Sequence, residues 1–143
     1  MMEGAEDGGR EVVEAVWAAT SPVSGRFDPV ETRSDLVALD DRFAALRARG
    51  HGYLEVRRTD EFPVLTVGFR GSVAVVQALT SPEAMALLEG DGSVAGEVVE
   101  VPVMDETADF AGEAGLNVDH AWSVVRSFLR GRDLDELGEW VDL

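Results

Sequence analysis

The sequence predicts an α+β domain, an antiparallel sheet of about five or six strands with two main helices packed on one face. Three observations lead there. Residues 33–49 and 118–130 carry apolar side chains at helical spacing. The apolar runs between them are short, and their connections are too brief for crossover helices, which implies hairpins. The 143 residues, 45% hydrophobic and 28% charged, have the size and composition of one globular domain.

Residues 1–9 are acidic and glycine-rich and read as a disordered tail, leaving 10–143 as a single domain. Residues 11–19 fit both periodicities; dense valine and the stop at Thr20-Ser21-Pro22 favour a strand. Pro22, Gly25 and Pro29 make 20–29 a loop. Leu36, Leu39, Phe43 and Leu46 then define one face of a helix over 33–49. Thr32 with Asp35, or Ser34 alone, is placed to cap its start, and Gly50 to end it. Residues 53–57 alternate as a strand, 59–61 turn, and 64–69 and 72–79 form two more strands about Arg70-Gly71. Residues 80–90 fit a short helix with Pro82 at its first position or an extension of the sheet edge. A fourth strand is expected over 94–103 and an acidic loop over 104–116. Asn117 is placed to cap the second helix, whose stripe is Ala121, Val124, Val125 and Phe128. Residues 137–141 read as a last short strand.

Composition removes much chemistry. Without cysteine there are no disulfides, thiol nucleophiles, iron–sulfur clusters or thiolate zinc sites. All 12 basic residues are arginine, so lysine Schiff bases, P-loops and Ser–Lys dyads are absent too. His51 and His120 are far apart in sequence and read as surface or capping groups, with no cofactor or metal expected. In the stretch from Gly90 to Gly96 the third glycine falls one residue late for a dinucleotide loop, and no helix clearly follows. No serine sits in a nucleophile elbow. Asp40-Asp41, Asp60-Glu61 and Asp105-Glu106 are adjacent carboxylates, expected by chance in so acidic a chain and read as solvated rather than as a hydrolase pair. With no signal-like or membrane-length apolar run, the expectation is a soluble cytoplasmic protein that is not an enzyme.

The charge balance is the strongest functional signal. Twenty-eight acidic residues give a net charge of −16, which disfavours nucleic acid and anionic membrane as partners. From Gly71 to Val125 there is no arginine, while ten acids occur: Glu83, Glu89, Asp91, Glu97, Glu100, Asp105, Glu106, Asp109, Glu113 and Asp119. Such a stretch suits either a solvated surface or a face that captures a basic protein quickly. The acidic loop positions Asp60, Glu61, Asp91, Asp105, Glu106 and Asp109 are the candidate partner-binding residues. Trp17, Trp122 and Trp140 read as core or rim anchors.

The order of motifs adds a resemblance. A helix segment runs from Thr32 to Phe43, a strand contains Leu65-Thr66-Val67-Gly68, and Val101-Pro102 precedes a loop. The segment from Ala121 to Gly131 then ends in Phe128-Leu129-Arg130-Gly131, with Glu139-Trp140 eight residues on. Over residues 12–141 this resembles the first-numbered immunity protein family of bacterial polymorphic toxin systems, although Asp135 to Trp140 lacks the proline usual in the family's ending. The resemblance implies a non-enzymatic inhibitor that binds one cognate toxin domain, often a nuclease or nucleic-acid deaminase, and occludes its active site. It implies no catalytic residue, and it makes Trp140 structural. The alternative is a secretion-chaperone-like or small ligand-binding module. A chaperone would dimerise and hold a non-catalytic segment, whereas an immunity protein would bind the folded toxic domain one to one.

Overall fold

Strand periodicity prevails at the start of the chain, where Glu14–Thr20 forms strand β1 in the computed structural model, which describes residues 13–90, 92 and 98–143. The tail expected at 1–9, residue 91 and the first part of the expected 94–103 strand lie outside the described residues. Strand β2 is Phe27–Asp35, and helix α1 is Leu36–Arg49. Strands β3 (His51–Arg57), β4 (Val64–Arg70), β5 (Val73–Ser81) and β6 (Ala84–Leu88) follow as a meander. Strands β7 (Val98–Val103) and β8 (Glu106–Ala111) form a separate hairpin. A 3-10 turn at Gly112–Ala114 leads to β9 (Leu116–Asn117), helix α2 (Val118–Leu129), helix α3 (Leu134–Leu137) and β10 (Trp140–Asp142). The main sheet is antiparallel, in the order β10-β6-β5-β4-β3-β1-β2, with β9 paired to one end of β5. The α+β class with an antiparallel sheet is as expected, and the described sheet is larger than five or six strands.

Two local readings are corrected, at 27–35 and 106–111, and the alternative left open at 80–90 is decided for the sheet. Residues 27–35, read as loop and helix start, form β2; its side chains are mostly exposed, so no apolar alternation marks it. It is an edge strand, which is where Pro29 can sit without losing a ladder hydrogen bond. Pairing of Arg33, Ser34 and Asp35 with β1 holds the chain extended until Asp35, whose carboxylate accepts from Ala38 N at 2.9 Å. Asp35, not Thr32 or Ser34, therefore starts α1 at Leu36. Residues 84–88 are strand rather than helix, turned about Pro82-Glu83 with Ser81 opposite Ala84. Residues 106–111, expected as part of an acidic loop, are β8: Ala108 and Phe110 alternate with exposed Thr107 and Asp109. The predicted caps Gly50, with φ 101°, and Asn117, which accepts from Asp119 N, are both found.

Every second residue of the central strands enters one core. Trp17, Leu54, Val56, Leu65, Val67, Phe69 and Val76 share it with Leu39, Phe43 and Leu46 of α1 and Trp122, Val125 and Phe128 of α2. The other alternation is covered only in part. Val75 packs with Val99 and Val101 of β7, and Val73, Leu87 and Phe110 lie against them. Gly68 permits this layer, since a Cβ there would stand 2.2 Å from the Pro102 carbonyl oxygen. All three indoles are anchored: Trp17 donates to Ser34 Oγ at 2.8 Å, Trp122 to Asp40 Oδ1 at 2.7 Å, and Trp140 to the Leu134 carbonyl at 2.9 Å. Among the described residues no helix is long and apolar enough to cross a membrane.

Candidate functional site

Where the β7–β8 hairpin stops, the sheet is left open. Register defines the floor in two rows, Glu55–Thr66–Gln77 and Arg57–Val64–Leu79–Met85, each crossing adjacent strands. These side chains belong to the alternation opposite the helix-side core. Glu31 of β2, Glu61 and Phe62 of the β3–β4 loop, and Val103 and Met104 of the hairpin complete a hollow of about 460 Å³.

Its charged groups are held in place. Arg57 spans the Glu31 carboxylate with two bonds of 3.0 Å, from Nε to Oε2 and from Nη2 to Oε1. Its Nη1 also donates to the carbonyls of Thr59 and Asp60, at 3.3 and 3.1 Å, so one guanidinium ties the edge strand to the β3–β4 loop. The hydrogen bond from Arg57 holds Glu31 below the usual glutamate range; burial opposes it, and the charges of Arg57 and Arg33 add to it.

Tyr53 is 3% exposed and donates to Glu55 Oε2 at 2.8 Å. Burial first, then the Glu55 charge and this hydrogen bond, push its phenol far above the ordinary range, so it remains a donor. The linkage has a definite sign. The folded state keeps a proton that the unfolded chain loses near pH 10, so stability falls as pH rises above about 10. Tyr53 is the sole tyrosine in the sequence. Its phenolate absorbance is therefore expected to appear together with unfolding rather than before it. An independent ionisation near pH 10 in the folded protein would contradict this arrangement.

The predicted partner-binding acids divide among several places. Glu61 lines the hollow, and Asp60 is exposed on the same loop. Asp105 lies in the two-residue turn of the hairpin, where it accepts from Phe27 N at 2.7 Å and ties that turn to the start of β2. Glu106 opens β8 opposite Val103, and Asp109 lies exposed opposite Glu100. Asp91 lies outside the described residues. Of these acids the structure places only Glu61 in the lining of the hollow; Asp60 is next to it in the chain, Asp105 and Glu106 follow the lining residue Met104, and Asp109 lies farther along β8.

Sequence reasoning passed over Tyr53, Glu55 and Arg57. The signal was present as polar residues alternating with buried Leu54 and Val56, which marks a strand with one core face and one polar face.

Most of the arginines are engaged within the protein. Arg33, Arg47, Arg57, Arg70, Arg126 and Arg132 lie within 4 Å of carboxylates. Arg49 donates to the Pro22 carbonyl, and Arg58 donates to the carbonyls of Phe128 and Arg132 and lies over the Phe128 ring. Of the acids between Gly71 and Val125, Glu100 pairs with Arg70 and Asp119 with Arg47. Glu83, Glu89, Glu106, Asp109 and Glu113 are exposed and form no ion pair with an arginine among the described residues. Glu89 and Glu113 line one further hollow with Leu87, Ala111 and Val141, where the β6–β10 edge meets the end of the hairpin. No group of three or more potential metal-binding side chains occurs among the described residues. No protein-family model matches the sequence, and no curated protein matches it significantly.

Proposed function

We propose that the protein is an immunity protein, a one-to-one inhibitor that binds a basic toxin domain and occludes its active site, with a nuclease or nucleic-acid deaminase as the toxin. The observation that carries this reading is a set of exposed acids on β8 and on the turns beside β6 and β8: Glu83, Glu89, Glu106, Asp109 and Glu113. These five acids have no arginine partner among the described residues, while most arginines are engaged within the protein. A negative surface of this kind accelerates encounter with a positive one, and nucleic-acid-processing domains are positive where their substrate binds. The motif order and the charge balance support the same reading.

Affinity capture from the host at moderate salt should recover a secreted protein through its C-terminal domain, and the isolated domain should lose activity at a one-to-one ratio. Charge reversal at Glu106 and Asp109 should slow association about tenfold or more at low salt and flatten its ionic-strength dependence. Asp105 is left out of that variant because its carboxylate holds Phe27 N. Unchanged association rates and salt slope would remove the hairpin acids from the encounter surface, and recovery of no such protein would remove the inhibitor reading.

A further inference from the structure

We propose that the hollow over β3–β6 receives one arginine side chain of a protein partner, with Glu55 meeting the guanidinium and Val64, Leu79, Met85 and Met104 flanking its stem. The occupant rests on the inhibitor reading; the chemistry of the hollow stands on its own geometry. Glu31, Glu55 and Glu61 set three carboxylates against the single guanidinium of Arg57, leaving two negative charges in excess. Arg57 is already committed to Glu31 and to the loop carbonyls. Glu55 is a partly buried carboxylate with one oxygen held by the Tyr53 hydroxyl, and no further donor to it is found among the described residues. A planar guanidinium matches an oriented carboxylate better than an ammonium does.

The walls suit the rest of the side chain. Val64 and Leu79 are partly exposed in the floor, and Met85 and Met104 are 36% and 52% exposed at the rim. An arginine buries its methylenes on such surfaces while its head finds the carboxylate. Methionine adapts its shape to what it covers. Met104 also has φ 57° in the hairpin turn, a left-handed backbone that costs a non-glycine residue about 1–2 kcal/mol and projects this turn beside the hollow. Arginine in a partly desolvated pocket is among the commonest dominant contacts of protein interfaces.

The test uses the full chain and a blocked tripeptide, acetyl-Gly-Arg-Gly-amide, in an NMR titration, with the citrulline peptide as a neutral control of the same shape. Saturable shifts are expected at Tyr53, Thr66 and Gln77 with arginine and not with citrulline. Glu55→Gln, nearly isosteric at a partly exposed position, should weaken binding at least tenfold. Met85→Arg, which supplies a resident guanidinium from the exposed rim, should do the same. Absence of saturable shifts, equal binding of both peptides, or Glu55→Gln binding at the original strength would overturn the inference. A negative titration leaves the inhibitor reading to the capture and association measurements. Failure of capture beside a positive titration removes the toxin and keeps the guanidinium-binding pocket.

Discussion

Replacing Gly68 by valine is expected to separate the β7–β8 hairpin from the main sheet and to destabilise the protein by about 3 kcal/mol or more. The reason is a close backbone approach. A Cβ at residue 68 would lie 2.2 Å from the Pro102 carbonyl oxygen and 3.3 Å from Val101 Cγ2. A flexible side-chain end could move aside, but a carbonyl in a paired strand moves only with its strand. Lifting β7 uncovers Val99 and Val101, which are 5% and 1% exposed, and the face of Val75 beneath them. Exposing a buried valine costs about 1.5–3 kcal/mol, so the loss from burial alone exceeds a typical overpacking penalty. Urea unfolding should report the destabilisation, and amide exchange should show β7–β8 protection lost before that of β3–β5. A variant within about 1 kcal/mol of the parent, with hairpin amides still protected, would show that β7 does not depend on this contact. Because Met104, Asp105 and Glu106 ride on the hairpin, the same substitution should also open one wall of the hollow and weaken binding of the arginine peptide.

How far the sequence discloses this arrangement depends on where apolar residues fall. The faces of α1 and α2, the β3–β4–β5 meander and the caps at Gly50 and Asn117 are legible because each buries a regular apolar pattern or fills a position that favours one residue type. β2 is hidden because an exposed edge strand needs no apolar alternation, and Pro29 argues against a strand unless its edge position is known. β8 is hidden by its acids and the one before it: only Ala108 and Phe110 are partly buried, too few to outweigh Glu106, Asp109 and the adjoining turn residue Asp105. Asp133 and Glu136 form a reciprocal capping box for α3, a signal that was readable in sequence and was passed over.

For the candidate site, the acidic loops could be named in advance, but the hollow beside them could not. It arises because the hairpin folds back over Gly68 and Val75, a long-range packing event with no local mark beyond the glycine. The Tyr53–Glu55–Arg57 face was written in the alternation of β3, yet a polar strand face ordinarily means solvent. Only the wall supplied by the hairpin and the loop bearing Glu61 makes it concave.

Trp122→Ala is expected to cost about 3–5 kcal/mol, a large share of the roughly 5–15 kcal/mol by which such domains are stable. Three contributions can be separated. The indole is 7% exposed, so its removal leaves a large cavity between α1 and α2. Its Nε1–H bond to Asp40 Oδ1, at 2.7 Å, is charge-assisted and worth about 1.5–3 kcal/mol when made. Its ring lies 3.9 Å from that of Phe43 at 2°, a nearly parallel stack. The electrostatics of aromatic faces favour offset or edge-on arrangements over a direct sandwich, so this pair should contribute toward the lower end of the roughly 0.5–1.5 kcal/mol found for aromatic pairs. Burial and the Asp40 bond should therefore dominate. Trp122→Phe, which keeps a ring but loses the donor, should recover about half of the alanine loss. Among the described residues Asp40 then keeps only the more distant Arg126 Nε, at 3.8 Å. A double-mutant cycle with Phe43→Leu should return a coupling below about 1 kcal/mol. A coupling well above that would show the ring contact to be the main tie between the helices, and an alanine variant losing less than about 1 kcal/mol would show that α1 and α2 do not rely on this side chain.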